Sequence, residues 1–228
     1  MTRFTRHALF VLPEPGRFAE AAADWLGWDV VTGMARNHPA LPGLPRPLHG
    51  LTGAARKYGF HATIKAPFRL APDVCTTDLA LGIETLCKRL ARLSLDLEVR
   101  SIGSFVAFVP VGDTDRIGRF SATIVAGLDS FRAPLSEDDM ARRRPDALTA
   151  RQQEYLLEWG YPYVMDEFRY HMTLTGSVDA DEIGPVIREA DSYFDTVLPR
   201  PFPVTSLCHC AERRDGRFEL VHRYSLPG

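Results

Sequence analysis

The 228 residues carry 27 Lys and Arg against 29 Asp and Glu, a formal net charge of −2, and 45% of them are apolar. That is enough chain to bury a sizeable core, as one large domain or as two small lobes. The missing basic excess argues against a general nucleic-acid binder, whose affinity rests on many phosphate contacts. The short apolar run after Arg6 stops at Pro13-Glu14-Pro15, so neither a signal peptide nor a membrane span is predicted, and the expected location is the cytoplasm.

His7 to Leu12 reads as a first strand, and Phe18, Ala21, Ala22, Trp25 and Leu26 recur at the spacing of a helix over Arg17 to Leu26. Pro39, Pro42, Pro45 and Pro47 make residues 38–50 irregular, a loop long enough either to cover a site or to lie as ordered surface. A strand is expected over residues 60–66. A helix starting at Thr76 or Thr77 is expected to run to about Leu93, with Leu79, Ile83, Leu86, Leu90 and Leu93 inward. Strands near 95–102 and 104–111 follow, then helical stretches at about 114–130, 137–144 and 149–159. After a second strand near 168–176 come a helix near 179–193, a strand near 202–208, a turn at Asp215-Gly216 and a strand near 218–225. The order strand, helix, strand, strand thus occurs twice, the trace of an internal duplication. The chain is read as one bilobal domain over 1–228, with units at about 56–112 and 165–228 and a helical connection at about 114–160.

The two repeated strands carry the chemistry. In Lys57-Tyr58-Gly59-Phe60-His61-Ala62-Thr63-Ile64-Lys65-Ala66-Pro67 and in Phe168-Arg169-Tyr170-His171-Met172-Thr173-Leu174-Thr175-Gly176, apolar and polar residues alternate. Side chains two apart share a strand face, so His61 stands with Thr63 and His171 with Thr173. Histidine titrates near neutrality and can take or give a proton, and threonine offers a neutral donor to a phosphoryl oxygen. By the same alternation Lys65 and Arg169 fall on the site face, where a cation neutralises phosphate. Tyr58, which precedes the first motif with Arg56 and Lys57, reads either as lining the entrance and touching substrate or as structural packing. Tyr161 and Tyr163 read as packing or a rigid turn, and Arg142-Arg143-Arg144 as a solvated basic face.

Cys75, Cys87, Cys208 and Cys210 are too few and too irregularly spaced for a disulfide framework. Cys208-His209-Cys210 lacks the second pair that a tetrahedral zinc site needs, so buried cysteines packing as small hydrophobes are expected there.

Two His-x-Thr triplets half a chain apart resemble the 2H phosphoesterase superfamily. The longer strings Arg56 to Leu70, Phe131-Arg132-Ala133-Pro134-Leu135, Ala141 to Pro145 and Trp159-Gly160-Tyr161-Pro162-Tyr163-Val164 are similar to one branch of it. That branch is a bacterial family of unknown function (DUF1045-like) associated by name with phosphonate metabolism. The resemblance implies an α+β, bilobal, pseudo-two-fold fold, with two antiparallel sheets flanking a central cleft and helices outside. It implies His61 and His171 as the acid–base pair, Thr63 and Thr173 as phosphate holders, no cofactor and no metal. The expected activity is metal-independent hydrolysis of a small, cyclic sugar or nucleotide phosphate ester. Two alternatives remain: an RNA-end or RNA-binding protein using the same cleft, and a metal hydrolase built on His61, His171 and carboxylates such as Asp166 or Glu167. Neither a membrane nor a long nucleic acid is expected as partner.

Overall fold

The structure, a computed structural model, describes residues 4–228. Its first half runs β1 (His7–Val11), α1 (Arg17–Leu26), the short ladder β2 (Trp28–Asp29) and β3 (Met34–Ala35), α2 (Leu48–Leu51), α3 (Gly53–Arg56), β4 (Ala62–Phe68), α4 (Thr76–Cys87), β5 (Leu93–Leu95), β6 (Leu97–Ile102) and β7 (Phe105–Pro110). Helices α5 (Asp115–Gly127), α6 (Glu137–Arg142) and α7 (Ala150–Trp159) connect it to β8 (Met172–Thr173), α8 (Ala180–Phe194), β9 (Phe202–Val204), β10 (Ser206–Glu212) and β11 (Phe218–Ser225).

The expected α+β architecture of antiparallel strands with helices outside is what forms. Four strands, β11-β10-β1-β4, and three strands, β8-β7-β6, meet through the pair Ala62↔Met172 to give one ladder of seven. Sequence order does not follow space. The hairpin β6–β7, which comes after β4 in the chain, lies beside β8, and the hairpin β10–β11, which comes after β8, lies on the β1 and β4 side. The two crossing segments pair with each other as β5 and β9, Leu93↔Val204 to Leu95↔Phe202. That pairing helps to explain why α4 stops at Cys87 rather than near Leu93: the last residue at helical spacing, Leu93, is drawn into a strand by a partner distant in sequence.

One face of the sheet packs on α1, α4 and α8 around Phe18, Trp25, Ile83, Phe108 and Phe194. Ala62 and Met172, fully buried, point into this core. On the other face Phe10, Trp28, Cys208, Cys210 and Phe218 form a smaller cluster. The four cysteines are free thiols, three of them buried as expected, and burial pushes Cys208 up to about 11. His209, between two of them, bonds His7 at 2.8 Å.

Candidate active site

The pair Ala62↔Met172 places the motif residues. Because both point into the core, their neighbours His61, Thr63, His171 and Thr173 stand on the opposite face of the sheet. In an antiparallel pair, His61 is then opposite Thr173 and Thr63 opposite His171. The two imidazoles lie on a diagonal whose length in such ladders is about 7–8 Å. All four side chains are partly exposed.

The two rings are held alike. His61 Nδ1 is 2.8 Å from the carbonyl oxygen of Gly59, and His171 Nδ1 is 2.8 Å from that of Arg169. A carbonyl only accepts, so each Nδ1 carries the hydrogen and each Nε2 is the free base. Thr63 Oγ1 lies 3.0 Å from His61 Nε2 and donates to it. Burial pushes His61 down to about 4, the Gly59 carbonyl opposing and the His171 charge reinforcing the shift. Burial also lowers His171, against its bond to Arg169. Both imidazoles are thus neutral at pH 7. Gly59 has φ +71°, and a Cβ there would stand 2.5 Å from Val30 Cβ, so only glycine aims that carbonyl at the ring. The Phe10 ring backs His61 at 3.9 Å.

Strand β8 is shorter than its alternation predicts. Beyond Thr173 the backbone N–H groups of Leu174 and Thr175 both go to the carbonyl of Val106, and Thr175 Oγ1 accepts from Val106 N–H at 2.9 Å. Thr175, buried, therefore stays beside Thr173 without a regular ladder.

Two neighbouring hollows open over the motif. The larger, about 630 Å³, is lined by His61, Thr63, Tyr58, Thr173 and Thr175. The other, about 460 Å³, is lined by His171, Arg169, Gln152, Tyr163 and Phe168. Thr63, Ala66, Phe105 and Tyr161 border both. The structure therefore brings His61, Thr63, Thr173 and Tyr58 into one hollow, with His171 and the exposed Arg169 in the adjoining one.

Lys65 is the exception. Its side chain is 4% exposed and its Nζ bonds the Val125 carbonyl at 3.1 Å and Asp129 Oδ1 at 3.2 Å, away from both hollows. Against β1, Phe10 faces Thr63, Leu9 faces Lys65 and His7 faces Phe68, so β4 has gained a residue at each step. Such bulges break strict alternation and turn Lys65 toward α5. On the edge that β8 leaves open, Ser121 Oγ also bonds the Ile64 carbonyl at 3.3 Å.

Four residues at the hollows escape the sequence reading. Tyr161 walls both hollows, and Arg6, Arg142 and Arg143 line the larger one. The Arg142-Arg143 run is visible in the chain, but only its position over the motif shows which way it faces. The proline-rich segment, by contrast, lies elsewhere: Arg46 pairs with Glu182 of α8, and His38 bonds the carbonyls of Asp24 and Trp25. No cluster of three or more metal-ligating side chains occurs among the described residues, and no helix among them is long and apolar enough to cross a membrane.

Residues 63–219 match a family described as protein of unknown function (DUF1045). The chain belongs to the DUF1045 family. The match begins at Thr63, two residues after His61, and includes Thr63, His171 and Thr173. Two curated relatives of this DUF1045 protein are named ribose 1,5-bisphosphate phosphokinase PhnN. One, from Janthinobacterium sp. (strain Marseille), is 36% identical over 93% of this chain and 48% of its own length. The other, from Laribacter hongkongensis (strain HLHK9), is 33% identical over 86% of this chain and 46% of its own. The chain spans about half the length of these relatives. Among solved structures, Escherichia coli LigT complexed with phosphate is similar at a TM-score of 0.46, 12% identical, covering 100% of both chains. A structure described as a phosphoesterase reaches 0.42 at 13% identity, covering 98% of this chain and 99% of its own.

Proposed function

We propose that this DUF1045 protein is a metal-independent phosphodiesterase that hydrolyses a small, cyclic sugar or nucleotide phosphate ester with His61 and His171 as its acid–base pair. One observation carries the reading: two Nδ1-protonated imidazoles on the diagonal of a four-residue square whose other corners are threonine hydroxyls. One Nε2 takes the proton of the attacking water while the other ring gives a proton to the departing sugar oxygen. Thr63, released from His61, and Thr173 hold the non-bridging oxygens. The phosphokinase name of the relatives is not carried over, because this chain contains no Gly-Lys dipeptide and hence no G-x-x-x-x-G-K-[ST] phosphate loop. Their name does make ribose phosphates the first esters to try, and the branch resemblance supports a role in phosphonate metabolism.

Both rings rest neutral, so the proton for the leaving oxygen has to be taken up when the anionic ester arrives, since a nearby negative charge raises an imidazole's pKa. The singly protonated pair is then favoured on the acid side. The kcat/KM profile is expected to be a bell with its maximum below about pH 6.5. A maximum at or above pH 8 would contradict the neutral resting pair.

The deciding screen uses ribose 1,2-, 2′,3′- and 3′,5′-cyclic phosphates and linear diesters, each with and without EDTA. Turnover of at least one ester, undiminished by exhaustive chelation, is the expected result. Activity lost to EDTA and restored by a divalent cation would replace the two-histidine reading with a metal one.

A further inference from the structure

Around the larger hollow stand four cations, Arg6, Lys57, Arg142 and Arg143, against one carboxylate, Asp139. Two of the four are already paired: Arg6 makes two bonds to Glu212, at 2.7 and 2.6 Å, and Arg142 bonds Asp139. Lys57 and Arg143 are not. Among the described residues neither has a carboxylate within ion-pair distance; each instead leans on an aromatic face, Lys57 Nζ 4.9 Å from the Tyr58 ring and Arg143 4.7 Å from the Tyr161 ring. Both tyrosines line the same hollow, and the Tyr58 ring is 5.9 Å from that of His61. Two positioned cations thus stand beside a catalytic square whose threonines and histidines already supply donors for a diester.

We propose that Lys57 and Arg143 form a second anion subsite, which takes a terminal phosphomonoester of the substrate while the diester sits on the histidines and threonines. The inference rests on the phosphodiesterase reading above and narrows it to small bis-phosphorylated esters. A diester carries one negative charge and a monoester close to two at neutral pH, so the two cations without an ion-pair partner match the monoester. Arginine adds a planar fork suited to phosphate, and lysine a point charge. A hollow of about 630 Å³ has the size of a small-molecule pocket, and the chain's net charge of −2 offers no basic track for a longer nucleic acid.

The test compares ribose 1,2-cyclic phosphate and adenosine 2′,3′-cyclic phosphate with their 5-phosphorylated counterparts. The wild-type protein is expected to favour the phosphorylated member by about 100-fold or more in kcat/KM, the scale of two charge-assisted contacts. In the double variant Lys57→Ala/Arg143→Ala that ratio is expected to fall to about 5 or less, and Lys57→Arg/Arg143→Lys to keep most of it. Equal kcat/KM values in the wild type, or a ratio untouched by the double variant, would overturn the subsite. So would preference for an oligonucleotide ending in a 2′,3′-cyclic phosphate, which would assign the cations to a nucleic-acid chain. Ribose 5-phosphate separates this inference from the reading beneath it. Without any scissile diester, it is expected to bind the wild type by calorimetry and the double variant at least about tenfold more weakly. If no diester is turned over but that difference stands, the hydrolase reading fails and the subsite holds; equal binding, or none, removes the subsite.

Discussion

Replacing either His61 or His171 by alanine is expected to lower kcat/KM on a cyclic phosphate by about 10²–10⁴, the usual worth of positioned proton transfer. In the proposed mechanism the rings share one proton cycle, so the double variant is expected to lose little more than the worse single one, as in other groups that act as a unit. Folding is not the cause of the loss, because both side chains stand partly exposed on the face away from the main core. Asparagine separates the two effects further. Its amide can replace the Nδ1–H that donates to Gly59 or Arg169, and with it the local hydrogen bond, but it cannot take a proton. His61→Asn and His171→Asn are therefore expected to melt close to the wild type and to be as inactive as the alanine variants. A histidine variant that keeps more than about a third of the wild-type kcat/KM would sink the acid–base pair, since even the weakest positioned proton transfer is worth about a hundredfold.

The proposed catalytic square was legible in the chain because its signal is local. Alternation over Phe60–Ala66 and over Tyr170–Thr175 needs no knowledge of the partner strand, and it places His61, Thr63, His171, Thr173 and Thr175 on the sheet face that the structure gives them. It fails at Lys65, where β4 gains residues against β1. A bulge is set by what the neighbouring strand and α5 offer, and no pattern of apolar residues in β4 announces it. The exchange of hairpins between the two halves was hidden for the same kind of reason. Chain order suggests that β6 and β7 stay with β4, yet they join β8, because β5 and β9 find each other across more than a hundred residues. The cationic rim was hidden by averaging: a net charge of −2 and a lone Arg142-Arg143-Arg144 run both read as ordinary solvated surface. Only the tertiary fold, which sets Arg142 and Arg143 at the end of α6 beside Arg6 and Lys57, gathers the four around one hollow.

The displaced Lys65 yields the largest expected change in stability. Its ammonium, the carboxylate of Asp129 and the guanidinium of Arg132 form one group: Asp129 accepts from Lys65 Nζ at 3.2 Å and from Arg132 Nε and Nη2 at 2.9 and 3.1 Å. Arg132 Nη2 goes on to the carbonyl of Glu158 at 3.0 Å, so the group ties β4 to the ends of α5 and α7. Burial works against the Asp129 carboxylate, yet the hydrogen bonds of Arg132 and the Lys65 and Arg132 charges hold its pKa below the usual carboxylate value. Asp129→Asn removes the one anion from between two cations, and breaking a buried pair from one side costs about 3–5 kcal/mol. Asp129 keeps a quarter of its side chain exposed, so the lower end, about 3 kcal/mol, is expected in the denaturant midpoint. Lys65→Met is expected to cost only about 1 kcal/mol, because Asp129 keeps Arg132 and the new side chain fills the same apolar track. A group with a depressed carboxylate pKa stabilises above its unfolded value and loses that contribution as pH falls through the folded one. The gap between the wild type and Asp129→Asn is therefore expected to be full at pH 7 and to close as the protein is acidified. In both variants kcat/KM per folded molecule is expected to stay within about threefold of the wild type, far short of the hundredfold or more lost with a proton-transfer group. Lys65→Met keeping its stability but losing activity a hundredfold would return Lys65 to the proposed catalytic face.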